Sequence, residues 1–211
     1  MLKTLNIPVI VIIALAIFSF GSRSAFEIQN SNRDKTDSIV DAINNYMHYM
    51  NGIASHGDRS MKVYVKTQRQ IKYLQIIDAE HWPDSIEETV NVVYYNGEPV
   101  EYIETPICTT KNMNIEYDNY FYKKRSLAYR GFSILNENVC GKGSVSKTTV
   151  IYFDSLGTVL KTMNSLVDAN NIPIDSTACP VKLNYSNHIY RSYSQTPLAK
   201  EGIEGIYKPG K

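Results

Sequence analysis

A pattern of paired aromatic and aliphatic positions recurs three times between residues 92 and 161. In each copy two neighbouring aromatic residues lead into a turn, and an aliphatic residue follows a few positions later. The copies are Tyr94-Tyr95 with Val100, Tyr120-Phe121 with Leu127, and Tyr152-Phe153 with Val159. Aromatic residues favour strands, and a short turn joins two antiparallel strands. The pattern therefore predicts three consecutive β-hairpins.

The strands and turns of these hairpins follow from the same pattern. The predicted strand pairs are residues 89–95 with 100–104, 115–122 with 127–135, and 147–153 with 158–167. Asn96-Gly97 closes the first hairpin, because both residues tolerate the positive φ angles of a type I′ turn. The basic residues 123–125 and the segment 154–157 close the others. Alternation upstream predicts two more strands, at residues 61–66 and 71–77.

The aromatic residues form two columns when the three copies are aligned. Tyr94, Tyr120 and Tyr152 fall in one column, and Tyr95, Phe121 and Phe153 in the next. Neighbouring strand positions face opposite sides of a sheet, so both faces carry aromatic side chains. We expect one column to pack under a helix and the other to line a concave surface or a second layer. The column of Tyr94, Tyr120 and Tyr152 is the predicted binding face.

One amphipathic helix is predicted from about Asp34 to Ser55. Apolar residues recur at steps of three and four, namely Ile39, Ile43, Tyr46 or Met47, Met50 and Ile53. Such a narrow stripe suits a helix that lies across a sheet. We therefore expect an α+β fold, mostly β, in which an antiparallel meander of about six to eight strands carries one N-terminal helix. Residues 36–195 form this single domain, residues 181–193 supply a last strand, and residues 196–211 form a flexible tail.

The N-terminal residues predict export. Lys3 precedes an apolar run at residues 7–20, and small residues follow at 21–24, as in a secretory signal peptide. Residues 1–24 are therefore the expected signal peptide, residues 25–35 a polar tether, and the location periplasmic or secreted. The alternative is an anchor formed by an uncleaved N-terminal helix. The net charge of +1 argues against nucleic acid as a partner, and a membrane is expected only through that N-terminal segment.

Export also affects how the three cysteines are interpreted, because disulfides form in oxidising compartments. Cys108 and Cys140 follow the first and second hairpins, and a meander brings such connections to one edge. This pair is the predicted disulfide. The two pairings that involve Cys179 stay open. No CxxC motif is present, so neither a thioredoxin-like site nor a zinc site is suggested.

Acidic residues gather around one histidine between residues 78 and 88. His81 and Trp82 lie among Asp78, Glu80, Asp84, Glu87 and Glu88. Carboxylates beside an imidazole suit general-base or metal chemistry, but their spacing matches no known ligand motif. We expect a solvated loop with Trp82 in the core, no metal and no cofactor. A catalytic site here would need His81 and at least two carboxylates to converge in a pocket.

Two segments resemble a known hairpin unit. Val92-Val93-Tyr94-Tyr95-Asn96-Gly97 and Val150-Ile151-Tyr152-Phe153-Asp154-Ser155-Leu156-Gly157-Thr158-Val159-Leu160 are similar to the YFD-x-x-G-x-L units of uncharacterised secreted proteins of Bacteroidetes and, more distantly, to MORN repeats. The resemblance covers about residues 60–167, and the second hairpin departs from it in its basic turn. It implies a sheet-rich envelope protein and supplies no catalytic residues.

Two functions of different classes follow from these observations. The favoured one is a non-enzymatic exported binding, interaction or structural module of the cell envelope. It would hold an envelope protein or a glycan through the tyrosine-rich face or the basic turn at residues 123–125. The alternative is a hydrolase with a site near His81.

Overall fold

The structure is a computed structural model that describes residues 25–55, 61–68, 70–78, 80–107, 113–123, 125–135, 141–177, 179 and 186–208. The strands are β1 (Met61–Thr67), β2 (Tyr73–Ile76), β3 (Ile86–Tyr95), β4 (Glu98–Pro106), β5 (Met113–Tyr122), β6 (Arg125–Leu135), β7 (Val145–Phe153), β8 (Val159–Asp168) and β9 (Ile203–Ile206). The helices are α1 (Ala25–Ser55) and α2 (Pro197–Glu201), with 3₁₀ turns at Ser186–His188 and Tyr193–Gln195.

The nine strands form one sheet in the order β8-β7-β6-β5-β4-β3-β1-β2-β9. Neighbouring strands pair antiparallel except β9, which pairs parallel with β2. The α+β, mostly β class and the helix on the sheet are thus confirmed. The sheet exceeds the predicted six to eight strands and is not purely antiparallel, because residues 203–206 return to its edge.

Each of the three long hairpins carries a β-bulge beside its turn. The register shifts fall at Val93/Tyr94, Tyr120/Phe121 and Tyr152/Phe153. In each hairpin the returning strand has one extra residue, which is Val100, Leu127 or Leu160. Because all three extra residues pack on the side of α1, the bulges add apolar contacts under the helix.

Helix α1 covers the turn-proximal part of one face of the sheet. Val40, Ile43 and Met47 pack against Tyr120, Ala128 and Tyr152, and Met50 packs against Val93 and Val100. Ile39, Ile43, Met47 and Met50 of the predicted stripe therefore face the sheet, whereas the side chain of Ile53 lies outside the described part of the structure. The helix begins at Ala25, so the tether predicted for residues 25–35 is wrong. A polar segment continues the helix there without an apolar stripe, since helix propagation is easier than nucleation.

The opposite face is covered by residues 186–201, which we call the C-terminal strap. Tyr190 and Leu198 pack into a core with Tyr64, Tyr102 and Phe121. Residues 196–206 form α2 and β9, so the prediction of a flexible tail is wrong for this part. Of the predicted strand at 181–193, residues 181–185 lie outside the described residues, and residues 186–193 form 3₁₀ turns and coil.

No helix in the described part of the chain is both long and apolar enough to cross a membrane. The predicted signal peptide, residues 1–24, lies outside the described residues.

Candidate functional site

The structure does not place Tyr94, Tyr120 and Tyr152 on a shared open surface. Tyr120 and Tyr152 are buried beneath α1, whereas Tyr94 packs on the opposite face against Tyr193. The bulges explain the difference, because Tyr94 is the structural equivalent of Phe121 and not of Tyr120. The prediction that Tyr94 shares a column with Tyr120 and Tyr152 is therefore wrong. These three side chains do not form a single binding face.

The polar residues around His81 also spread apart. His81 Nδ1 lies 2.7 Å from Asp78 Oδ2, and both side chains are exposed. Glu88 points to the strap side, where the Tyr73 hydroxyl donates to its carboxylate at 3.3 Å. Hydrogen bonds from the backbone N–H of Glu80 and from His81 hold the pKa of Asp78 below its usual range. Among the described residues His81 thus contacts one carboxylate, that of Asp78, and these residues do not show the convergence that the hydrolase requires.

Trp82 is 42% exposed and does not fill the core, in contrast to the prediction. It lies at one corner of the sheet, where the Tyr207 hydroxyl reaches the Trp82 carbonyl oxygen at 3.5 Å. Four further large apolar side chains are exposed on β2, β9 or their flanks: Ile71, Ile77, Ile203 and Ile206. We call these five residues and the cavity beside them the open corner.

An open cavity of about 420 Å³ lies at this corner. Its lining residues come from β1, β2, β9, the loops before β2 and β3, and the residues after β9: Thr67, Gln70, Leu74, Pro83, Asp84, Ile206, Tyr207 and Lys208. The lining therefore combines apolar side chains with one carboxylate and one ammonium group. Such a mixture suits an apolar anchor residue held in a polar rim.

Polar residues on the strap side fasten the strap to the sheet. Asn119 is buried on β5, where its amide donates to the His188 carbonyl oxygen at 3.0 Å and accepts from the Tyr190 N–H at 3.1 Å. The Glu104 carboxylate accepts from the Tyr190 hydroxyl at 2.8 Å and lies 2.7 Å from His188 Nδ1. The His188 ring also stacks on Tyr117. A histidine and a carboxylate thus meet here, but their contacts position the strap.

A second carboxylate, that of Glu88, lies near the contacts between Glu104 and the strap. Burial and the neighbouring Glu104 raise the pKa of Glu88 to about 8, so Glu88 is mostly protonated at neutral pH. Burial also raises the pKa of Tyr73 and Tyr190 above the usual range, which keeps both hydroxyls as donors. At the edge of the group, Lys66 Nζ forms an ion pair with Glu201 at 2.6 Å.

Buried acidic residues also lie on the helix side of the sheet. Asp118 is fully buried and accepts hydrogen bonds from the guanidinium of Arg130, which also contacts Glu116 at 3.1 Å. Asp118 Oδ1 and Glu101 Oε2 have no hydrogen-bond partner among the described residues. Burial raises the pKa of Glu101 to about 7. These two oxygen atoms are buried, so a ligand in solvent cannot contact them. Their effect is on the stability of the folded protein.

The predicted basic turn is partly engaged within the fold. Lys123 is exposed and lies over the Tyr122 ring, while Arg125 Nη1 donates to the Ser155 carbonyl oxygen at 3.1 Å. Lys124 lies outside the described residues. Arg191 of the strap reaches the same neighbouring turn.

The predicted disulfide joins Cys108 and Cys140, which both lie outside the described residues. Cys179 is buried against Val145 and Leu166 and takes part in a disulfide bond.

No group of three or more histidine, cysteine, aspartate or glutamate residues suited to a metal ion is found within the described ranges. The feature that sequence reasoning missed is the open corner. The exposed apolar residues on β9 were assigned to a flexible tail, and Trp82 was assigned to the core. Comparison of the chain with protein-family models, with curated proteins and with solved structures finds no match.

Proposed function

We propose that this protein is an exported, non-enzymatic interaction module of the cell envelope that holds a protein partner at the open corner. The observation that carries the proposal is the row of exposed Ile71, Ile77, Ile203 and Ile206 along β2, β9 and their flanks, next to a cavity that Ile206 lines, with exposed Trp82 at the same corner of the sheet. Interface centres are enriched in tryptophan and other large apolar residues seated next to pockets. A protein suits this surface better than a glycan, because exposed isoleucines offer a sugar few hydrogen bonds.

The arrangement of the sheet supports the same proposal. Helix α1 and the C-terminal strap cover much of the two faces, and the tyrosines predicted to bind lie under or against them. The buried polar groups Asn119 and Glu104 hold the strap in place. The open corner lies at the β9 edge of the sheet, directly after the strap in the chain, so a partner can reach it without displacing either covering element.

A photo-crosslinking amino acid placed at Ile203 tests the proposal in cells that make the protein. We expect one discrete protein adduct, because Ile203 lies at the proposed interface. Met163 on β8 is the matched control, since it is exposed to a similar extent at the opposite edge of the sheet. A second change, Ile206→Asp, places a charge at the cavity and is expected to abolish the adduct from Ile203.

The proposal fails if Ile203 and Met163 give the same adducts, or if Ile206→Asp leaves the adduct unchanged while the protein remains folded.

A further inference from the structure

Two arginines from distant parts of the chain converge on the turn between β7 and β8. Arg125 Nη1 donates to the Ser155 carbonyl oxygen at 3.1 Å, and Arg191 Nη1 donates to the Gly157 carbonyl oxygen. The Arg191 guanidinium also lies over the Phe153 ring, 4.8 Å from its centre. Each guanidinium keeps further N–H donors, since these contacts use only part of its five.

Backbone contacts fix the two arginines side by side. The N–H of Ser126 donates to the Arg191 carbonyl oxygen at 3.0 Å, and Arg125 pairs with Ser192 as a short β-bridge. The first residue of β6 and the strap therefore hold both side chains beside the same turn. This arrangement lowers the entropy lost when the guanidinium groups bind a ligand.

The local charge at this turn is positive although the chain is nearly neutral. Lys123 lies in the adjacent turn, and no ion pair to Lys123, Arg125 or Arg191 is found among the described residues. The turn has one carboxylate, that of Asp154, and its Oδ1 accepts the N–H groups of Leu156 and Thr158 at 2.8 Å. Two arginines thus contact a turn that has one carboxylate, and a third cation, Lys123, lies in the adjacent turn.

An apolar side chain stands at the tip of this positive turn. Leu156 is 87% exposed, the highest value among the large apolar residues that the structure describes. A single exposed leucine is ordinary, but one in a turn that two arginines contact suits a surface that rests on anionic lipid. The cations attract lipid phosphates, and the apolar tip enters the boundary between headgroups and acyl chains.

We propose that the β7–β8 turn docks the protein on an anionic lipid surface. In this arrangement Arg125 and Arg191 donate hydrogen bonds to headgroup phosphates, Lys123 adds charge, and Leu156 inserts. The open corner lies at the other edge of the sheet, and its residues Thr67 and Gln70 lie at the end of β1 away from the long hairpin turns. Lipid docking therefore leaves the open corner accessible, and it does not depend on what binds there.

Co-sedimentation with vesicles tests this proposal. We expect the protein to bind phosphatidylglycerol vesicles more strongly than phosphatidylcholine vesicles, and binding to weaken as salt increases. Replacing Arg125 and Arg191 with Gln should weaken binding by about fivefold for each charge removed. Leu156→Ser should also weaken binding, and its exposed position makes loss of folding an improbable cause. All variants keep the same N-terminal segment, so their differences report on the turn.

Matched controls distinguish a specific effect of this turn from the effect of removing any exposed charge or apolar side chain. Lys72→Gln removes one exposed positive charge near β2, and Ile172→Ser removes a side chain that is 57% exposed beyond the end of β8. Both should bind vesicles like the wild type. The proposal is overturned if the controls lose as much binding as the turn variants, or if the two lipids bind equally. Inorganic phosphate that perturbs the arginine side-chain NMR signals, without vesicle binding, would likewise overturn the lipid assignment.

Discussion

At the scale of single residues, packing determines the ionisation of acids whose sequence positions look ordinary. Glu101 is 1% exposed beneath α1, and Glu88 lies beside Glu104 on the strap side. Alternation along β4 predicts which neighbours share a face. It does not predict that a carboxyl group will be closed off from water, because that depends on the helix above the sheet and on a bulge beside the turn.

The stability of the protein should therefore decrease as the pH rises through neutrality. The folded-state pKa values of Glu101 and Glu88, about 7 and about 8, exceed the ordinary value of 4.5. Their protonated forms favour the folded state, so this contribution is complete below pH 4.5 and is lost as the pH rises through 7 to 8.

Glu101→Gln should remove part of this pH dependence. We expect the variant to gain on the order of 2 kcal/mol relative to the wild type when urea unfolding at pH 8 is compared with pH 5. Glu80→Gln is the control, because Glu80 is exposed. If the wild type and Glu101→Gln showed the same pH dependence, ionisation of Glu101 would not destabilise the folded state.

Asn119→Ala should loosen the C-terminal strap. The change leaves the His188 carbonyl and the Tyr190 N–H without their partner, and each unsatisfied buried group costs about 1–3 kcal/mol. Hydrogen exchange should therefore accelerate in residues 186–201 before it does so in β5 and β6. Asn114→Ala, at an exposed position of the same strand, should change neither region. Uniform acceleration across the sheet would contradict a local fastening role.

At the scale of elements, the repeated hairpins and the helix could be predicted from local signals. The first turn contains Asn96 and Gly97 at φ 52° and 78°, as its sequence predicts. The bulges could not be read from the sequence, because an extra residue is defined only by the partner strand. The strap and β9 were missed for a related reason, since their strongest contacts are with residues about 70 to 135 positions away.

Ile43→Ala should weaken the packing of α1 on the sheet. Ile43 is buried with Tyr120, Ala128 and Tyr152, so we expect a loss of about 2–4 kcal/mol in the free energy of unfolding. Asn45→Ala, on the exposed side of the helix, is the control. A change below about 0.5 kcal/mol at Ile43 would mean that α1 does not contribute to the cooperative core.

At the scale of the whole molecule, α1 and the strap cover much of both faces of a long sheet, and two corners of the sheet that differ in chemistry remain exposed. One has apolar residues around a cavity, and the other has arginines around Leu156. The hairpin-based sheet could be anticipated from sequence, whereas the corners could not. Trp82 and Ile206 are far apart in sequence, and so are Arg125 and Arg191, so only the folded chain brings each pair together.

Hydroxyl-radical footprinting tests the proposed interface at the open corner most directly. The measurement compares the purified protein with the protein in intact envelope fractions. In the purified protein, Trp82 and Ile206 should label strongly, while Tyr120 and Tyr152 should label weakly because α1 covers them. In the envelope, Trp82 and Ile206 should lose labelling, and Met163 should not. Unchanged labelling of Trp82 and Ile206 would contradict a protein-binding site at the open corner. Strong labelling of Tyr120 and Tyr152 would contradict the packing of α1 on the sheet.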